Sequence, residues 1–411
     1  MKDSYNTARP MVMHVDLNSC FASVEQQARP LLRGRPVAVV NRRTERTAIV
    51  TASYEAKKEG VKVGMKVYDA KKLVPDLITV ESDPPKYRFV YRKLLAIMRR
   101  YSAHVTMKSI DEGVIDFKQA TAAMQARDLR EVGMEIKQAL FTEVGCAMRC
   151  NVGLGTNRFL AKTAAGLHKP DGLDVISSDT LRATLASLSL TDLTGIAWRN
   201  EHRLNAVGIF TPLEFLDADV VTLRDIVFKS IVGEQWYQRL RGYEVDDVDF
   251  GMKTVGRQYV LESYNLSRND IVRRLHNLCE SVGQRMRGKG KSARGILVYA
   301  KTRDRQYWHR RQMCPLPFYS DQAIFAQAAL LFAGAPRESM REIGVSCYQL
   351  EDYAEDQLSL FGDQLAREQQ ITDAVDTINQ RFGERAIHSA HTLGTSGIVK
   401  TKVPFGSTRY L

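Results

Sequence analysis

Ser109-Ile110-Asp111-Glu112-Gly113-Val114-Ile115-Asp116 is the stretch on which the reading of this chain turns. Two carboxylates sit side by side, and a short apolar run follows them. Before them, His104-Val105-Thr106-Met107-Lys108 alternates loosely between apolar and polar residues. Two short strands meeting at an acidic tip account for the pattern, and such a tip pushes Asp111 and Glu112 out together at the end of a rigid sheet. Adjacent acids held close repel each other unless a cation lies between them, which points to a divalent metal. Taken alone, an acidic pair in a β-turn reads as a solvated corner. A third carboxylate shifts the weighing. Met11-Val12-Met13-His14-Val15-Asp16 reads as a buried strand ending in an acid, with a helical pattern just after it. Asp16 is then expected at the same sheet edge. Three carboxylates on neighbouring strand ends can hold two metal ions ~3.5–4 Å apart, the clamp used for phosphoryl chemistry.

The chain has 411 residues, 44% hydrophobic and 26% charged, enough to bury large cores and to split into several domains. No apolar run approaches the ~20 residues needed to cross a bilayer, and no signal-peptide pattern opens the sequence. A soluble, cytoplasmic protein with no membrane partner is the expectation. The cysteines are scattered, and only Cys146 and Cys150 lie close, so reduced and mostly buried thiols are expected rather than a zinc site. The net charge of +12 is concentrated: between Lys253 and Cys314, 15 Lys/Arg stand against 4 Asp/Glu. A segment of that kind suits a polyanion, above all nucleic acid. A merely solvated basic face would leave the near-neutrality of the rest unexplained.

Around these signals the chain reads as alternating strands and helices. Residues 1–10 are polar and expected to be loose. Ser19 is a candidate cap for the helix after Asp16, and Arg35–Val40 and Ile49–Ala52 read as strands. Ser53 caps a short helix that Gly60 stops. The helix after Asp83-Pro84-Pro85 carries Tyr87, Val90, Leu94, Ile97 and Met98 on one face. A longer helix spans roughly 120–144, Asn151–Gly155 reads as a strand, Thr156 or Asn157 caps the helix from Arg158 to Leu167, and Lys169-Pro170-Asp171-Gly172 is a turn. Short helices fill 177–243. There Leu193–Ala197 followed by Leu204–Ile209 resembles a helix–hairpin–helix, imperfectly, because Thr194 and Ala197 stand where Pro and Gly are usual. Residues 244–252 read as an acidic linker. The basic segment beyond it fits a small sheet with helices on one face, leaving the other free for a nucleic-acid backbone. The last thirty residues are expected to be loose.

Four stretches, in order, resemble the motifs of the Y-family DNA polymerases, the translesion class that includes the DinB and UmuC types. His14–Glu25 is similar to the first metal motif and Ser109–Asp116 to the second. Thr51–Lys57 resembles the triphosphate-binding stretch. Val152–Gly155 through Phe159–Lys162 resembles the palm strand and lysine-bearing helix. The likeness runs from about residue 11 to 352. It implies an α+β multidomain right hand: palm (11–27 and 84–174), small fingers (28–83), helical thumb (175–243), linker (244–252), an α/β little finger (253–352) and a tail (353–411).

The residue roles follow from the same resemblance. Asp16 and Asp111 would bridge two Mg²⁺, Glu112 would complete the site, and the Leu17 carbonyl would join the nucleotide-side metal. Thr51, Tyr54, Lys57 and Lys162 match positions that hold the incoming dNTP, and Phe21 the gate that excludes a ribose 2′-OH. Without the family frame, Phe21 and Tyr54 read as packing residues and Lys162 as a surface lysine. Arg257, Lys289, Lys291, Arg294, Arg303, Arg305, Arg310 and Arg311 are the candidate primer–template contacts. Gln357-Leu358-Ser359-Leu360-Phe361 looks like the pentapeptide that docks on the bacterial sliding clamp, with Gln357 polar and Leu358, Leu360 and Phe361 filling an apolar groove.

There are departures. Lys57 stands where Arg is common, so looser phosphate orientation is expected. Gly113 replaces a more usual Ala, which is expected to loosen the hairpin. Ser19 and Cys20 replace larger side chains. A monomer is expected, and accessory subunits are left open. Two other classes compete: a catalytically silent polymerase-like scaffold, which would lack the metal acids retained here, and a nucleotidyl cyclase, which has no use for a basic DNA grip.

Overall fold

The run Val12-Met13-His14-Val15-Asp16-Leu17 forms the central strand of the first of two units into which the chain divides, one ending at Val248 and the other running on beyond it. The structure, a computed structural model, describes residues 5–248, 251–352, 362–383, 385–395 and 399. The first unit holds strands β1 (Val12–Leu17), β2 (Val37–Val40), β3 (Ile49–Ala52), β4 (Ile78–Glu81), β5 (Val105–Met107), β6 (Glu112–Asp116), β7 (Cys150–Gly155) and β8 (Leu173–Val175). Five of them make one sheet in the order β5-β6-β1-β7-β8. β1 runs antiparallel to both neighbours, with Asp16 opposite Glu112 on β6 and Asn151 on β7.

Side chains on a strand alternate between faces, and β1 uses both. Met13, Val15 and Leu17 join Ile115 in a core with Leu94, Ile97 and Met98 of helix Pro84–Arg99 and Val132, Ile136 and Leu140 of helix Leu129–Glu143. On the other face Val12 and Val114 pack on Ala161 of helix Arg158–Leu167. That helix lies unusually close. A Cβ at Gly153 would come within 2.1 Å of the Ala161 carbonyl oxygen, and one at Gly155 within 2.5 Å of the Ala161 nitrogen. The alternate glycines of β7 therefore let backbone lie against backbone.

β3, β2 and β4 form a second sheet around Val40, Ile49, Val61 and Val67, from which Ser53 caps helix Tyr54–Lys58 by accepting from the Ala56 N–H. Short helices from Ser178–Ala186 to Val232–Leu240 close around Leu190, Leu204, Phe215 and Trp236.

The second unit holds β9 (Thr254–Val260), β10 (Lys291–Thr302), β11 (Tyr307–Phe318) and β12 (Met340–Asp352), antiparallel in the order β11-β10-β12-β9. Helices Arg268–Arg287 and Asp321–Ala333 pack together on the sheet. Tyr299 stands opposite Gly344 and Tyr348 opposite Gly295, and each ring lies where the glycine's Cβ would be, paving the face turned away from the helices. No described helix is long and apolar enough to cross a membrane.

Several expectations give way. The helix expected over 120–144 is two, Ala122–Gln125 and Leu129–Glu143, because the Asp128 carboxylate caps the Arg130 N–H at 2.9 Å and starts a new helix. β11 is absent from the sequence reading because Tyr307–Gln312 shows no apolar alternation; it is an edge strand, blunted by Arg310, Arg311, Pro315 and Pro317. Part of the expected loose start is fastened, since Asn6 donates to the Arg241 and Gly242 carbonyls, each at 2.9 Å. Much of the expected linker is docked: Glu244 and Asp247 pair with Arg158, and Asp246 with Arg239. Nor are residues 385–395 loose. Ser389 N–H and the Thr392 hydroxyl donate to buried Glu280 at 3.0 and 3.2 Å, Arg385 pairs with the same carboxylate, and Asn277 donates to Thr395 at 3.0 Å.

Gly113 does not leave a gap. A Cβ there would sit 2.6 Å from Met107 Sδ and 3.0 Å from Met98 Cε, so two thioethers occupy the place of the missing methyl. Those are the ends of flexible chains, whereas Gly153 faces backbone. Thermal or urea melts should therefore separate the two positions: Gly113→Ala is expected within about 1.5 kcal/mol of wild type, and Gly153→Ala to lose about 3 kcal/mol or more.

Candidate active site

Because Asp16 and Glu112 face each other across an antiparallel pair, both carboxylates leave the sheet on one face. Asp111 joins them through the backbone, its carbonyl accepting from the Leu17 N–H at 2.8 Å. The N–H and C=O of one residue leave a strand on the same edge, so the Leu17 carbonyl faces that side as well. Burial pushes the Asp111 carboxyl above its ordinary value; a hydrogen bond from Ser109 opposes this, and the charges of Asp16 and Glu112 add to the rise. Glu112 behaves oppositely. Burial would raise it, but His14 Nε2 at 3.2 Å and Lys162 Nζ at 2.7 Å hold it at about 2.

Lysines balance these acids. Lys162 reaches Glu112 from helix Arg158–Leu167, which the β7 glycines admit to the sheet. Lys169 pairs with Asp16. Its turn is tied to the end of β1, because the Asp171 N–H donates to Asn18 Oδ1 at 2.9 Å, and Asn18 Nδ2 to Asn151 at 2.8 Å. Sequence reasoning missed Lys169 and His14. The turn Lys169–Gly172 was visible, but its attachment to a strand more than 150 residues earlier has no local signal.

Lys57 lies with its ammonium 2.7 Å from Ser19 Oγ and 4.8 Å from the centre of the Tyr54 ring. Burial lowers the Lys57 ammonium, the nearby Lys169 charge adds to this, and Asp16 opposes it. Ser19 does not cap the helix that follows it. It takes a left-handed conformation, φ 45° and ψ 44°, where the chain turns out of β1, and its hydroxyl serves Lys57 instead. Two departures noted in the sequence, a small residue at 19 and a lysine at 57, are thus one contact. Thr51 is buried on β3. Phe21 is 2% exposed and stacked on Tyr87, rings 4.1 Å apart and 7° from parallel.

All the donors on the acidic edge are oxygens, three carboxylates and the Leu17 carbonyl, a set that fits a hard divalent cation. Among the described residues no three His, Cys, Asp or Glu side chains close on one point. Each outer acid leans on its lysine instead.

The second unit does not gather the eight basic candidates into one surface. Arg257 turns to the helices, bonding Ser281 and the Val399 carbonyl. Lys291 pairs with Asp352 and Arg294 with Glu351. Arg310 and Arg311, adjacent on β11, point to opposite faces, and Arg303 lies 5.4 Å from the Tyr264 ring centre. Arg305 sits in a turn at φ 65°, and Lys289 in the turn before β10. The clamp-type pentapeptide Gln357–Phe361 lies outside the described residues.

Two family models match the chain: the impB/mucB/samB family over residues 15–166, and the impB/mucB/samB family C-terminal domain over 253–360. A Moorella thermoacetica protein named DNA polymerase IV is 34% identical over 402 residues, 94% of this chain and 97% of that one. DNA polymerase IV of Oceanobacillus iheyensis is 27% identical, covering 95% of this chain and 93% of its own. DNA polymerase IV 1 of Bacillus subtilis is 29% identical, covering 93% of each. Among solved structures, a Y-family DNA polymerase chimera of Dbh and Dpo4 matches with a TM-score of 0.67 at 24% identity, over 82% of this chain and 98% of that one. An insertion ternary complex of Dbh DNA polymerase matches with a TM-score of 0.58 at 25% identity, over the same shares.

Glu112 is held at about 2 against an ordinary 4.5. A carboxyl lowered in the folded state contributes stability that is present in full above its unfolded value and is lost as the pH falls through the folded one. Urea melts in metal-free buffer should show Lys162→Met less stable than wild type by a constant amount above pH 4.5. The difference should shrink as the pH falls towards 3, and a gap that stays constant would refute the pairing.

Proposed function

Since the chain belongs to the impB/mucB/samB family of Y-family DNA polymerases, we propose that Asp16, Asp111 and Glu112 are the metal-binding acids of a DNA-directed DNA polymerase that extends primers past damaged template bases. The enzyme class and the α+β hand-like fold follow from the family. The single observation that carries the site assignment is the register of Asp16 opposite Glu112, with Asp111 bonded through its carbonyl to Leu17.

In this reading the five-stranded sheet is the palm, the three-stranded sheet the fingers, the helices to Leu240 the thumb and the second unit the little finger. Asp16, Asp111, Glu112 and the Leu17 carbonyl would hold two Mg²⁺. Bound there, the metals would acidify the primer 3′-hydroxyl and neutralise the leaving pyrophosphate. The protein's own groups do the placing. Tyr54 and Lys57, towards Asp16, and Lys162, at Glu112, would hold the triphosphate together with Thr51 of β3. Lys57 is a point charge aimed by the Ser19 hydroxyl, which supplies part of the orientation that an arginine fork would give. The Tyr87 stack fixes the plane of Phe21, whose edge would exclude a ribose 2′-OH. The tyrosine-paved sheet face would lie along primer–template phosphates, with Arg311 on that face and Arg257, Lys289, Lys291, Arg294, Arg303, Arg305 and Arg310 as the further candidate contacts. A cytoplasmic monomer tethered to the sliding clamp through Gln357, Leu358, Leu360 and Phe361 completes the proposal.

Primer extension across a defined damaged base, with Mg²⁺ and deoxynucleotides, tests it. Wild type should extend, and Asp111→Ala should lose about 10³-fold or more, several kcal/mol of transition-state stabilisation. A cyclic nucleotide product, or no extension by wild type, would overturn the reading. Deleting residues 357–361 should leave extension on a bare template unchanged and abolish stimulation by a loaded clamp; stimulation that survives the deletion removes the tether.

A further inference from the structure

We propose that helix Gly362–Phe382 carries a short heptad seam that receives one amphipathic helix of another protein, a helix with acidic residues along its edge. The seam lies in the second unit and does not depend on the acidic sheet edge of the first.

An amphipathic helix on a globular body ordinarily turns its apolar stripe inward. This helix is docked by its polar side instead. Glu368 accepts from the Ser320 hydroxyl, Asp373 accepts from the Tyr319 hydroxyl at 2.7 Å, and Asp376 pairs with Arg287 at 2.6 Å. The Asn379 side chain exchanges two hydrogen bonds with the Ile387 backbone, at 2.9 and 2.8 Å. The apolar residues stand aside from these contacts. Ile371 is 58% exposed and Phe382 68%, with Val375 and Ile378 half-buried between them. Single exposed apolar residues are ordinary on a protein surface. These four are not scattered, because they recur at i, i+4, i+7 and i+11. That is the alternation of d and a positions at which one helix seats its side chains between those of another.

The residues flanking the seam select its occupant. On the edge away from the body, Arg367, Ala374 and Arg381 are exposed at seven-residue spacing. The Arg381 guanidinium lies 5.3 Å from the centre of the Phe382 ring. Neither arginine pairs with an acid among the described residues. Thr372 and Asn379 stand on the inner edge. A second copy of this helix therefore brings no acid to either edge. A helix with glutamate or aspartate on its flank answers both arginines while it covers the apolar strip, and charges beside a seam decide which helix is taken.

The probe is a labelled synthetic helical peptide of about three heptads, with leucine at a and d and glutamate on both flanks. It is titrated with the full chain and followed by fluorescence anisotropy, beside a peptide whose flanks are lysine. Wild type should bind the glutamate peptide about tenfold or more tightly than the lysine peptide. Ile371→Asp combined with Phe382→Asp should lose that binding, and Arg367→Glu combined with Arg381→Glu should reverse the preference. All four side chains are exposed, so thermal melts of both variants should match wild type. Leu330→Asp, at a leucine 69% exposed on helix Asp321–Ala333, should bind as wild type does. Failure of the glutamate peptide to bind, equal binding of the two peptides, or binding that survives Ile371→Asp with Phe382→Asp overturns the inference. Dimerisation of wild type that this double variant abolishes would assign the seam to a second copy. Loss of stimulation by a loaded clamp in the same variant would assign it to the clamp, and either result also overturns the inference.

Discussion

Repulsion among three carboxylates at one sheet edge is the constraint around which the first unit is arranged. Acids gathered this closely must be compensated, and the chain compensates them with nitrogens carried on several elements. His14 comes from the same strand as Asp16, Lys162 from the helix laid across the sheet, and Lys169 from a turn. The opposite movements of Asp111, pushed up, and Glu112, drawn down to about 2, record how unevenly that compensation is shared. Asp111 accepts from the Ser109 hydroxyl, whereas Glu112 has two nitrogens.

Compensation by Lys162 depends on a packing detail far less conspicuous than any charge. Helix Arg158–Leu167 can approach β7 only because Gly153 and Gly155 present no side chain to it. A methyl group at either position would meet backbone atoms, which cannot yield as a side chain can. The acidic edge and the glycine stripe are thus parts of one arrangement: one supplies the charge, the other sets the distance from which it is answered. Gly113 plays a lesser part, because its neighbours are the pliable ends of Met98 and Met107.

The elements that define the fold were legible where apolar periodicity is strong. β1, the helix after Asp83, the strand Cys150–Gly155 and the helix carrying Lys162 all show in the residue pattern, as does the Ser53 cap. The gathering of Asp16, Asp111 and Glu112 at one sheet edge was legible because each acid stands at the end of an apolar strand. What local pattern could not carry was long-range attachment. Lys169 looks like any turn lysine until Asn18 and Asp171 tie its turn to β1. β11 escaped because an edge strand needs no apolar alternation. In the second unit a count of charges cannot distinguish an arginine facing solvent from one, like Arg257, that bonds a helix residue.

The strap formed by residues 385–395 bears on how the second unit comes into being. Glu280 is 7% exposed on helix Arg268–Arg287, and the cation that answers it, Arg385, is 105 residues further along. During synthesis the sheet and both its helices emerge first, while that carboxylate still faces water. Only when the distal stretch leaves the ribosome can the acid be sealed in with its arginine. A ribosome halted before that point, or a protease that clips there, would leave a helix whose acid has to remain wet, since burying an unanswered charge costs about 3–5 kcal/mol.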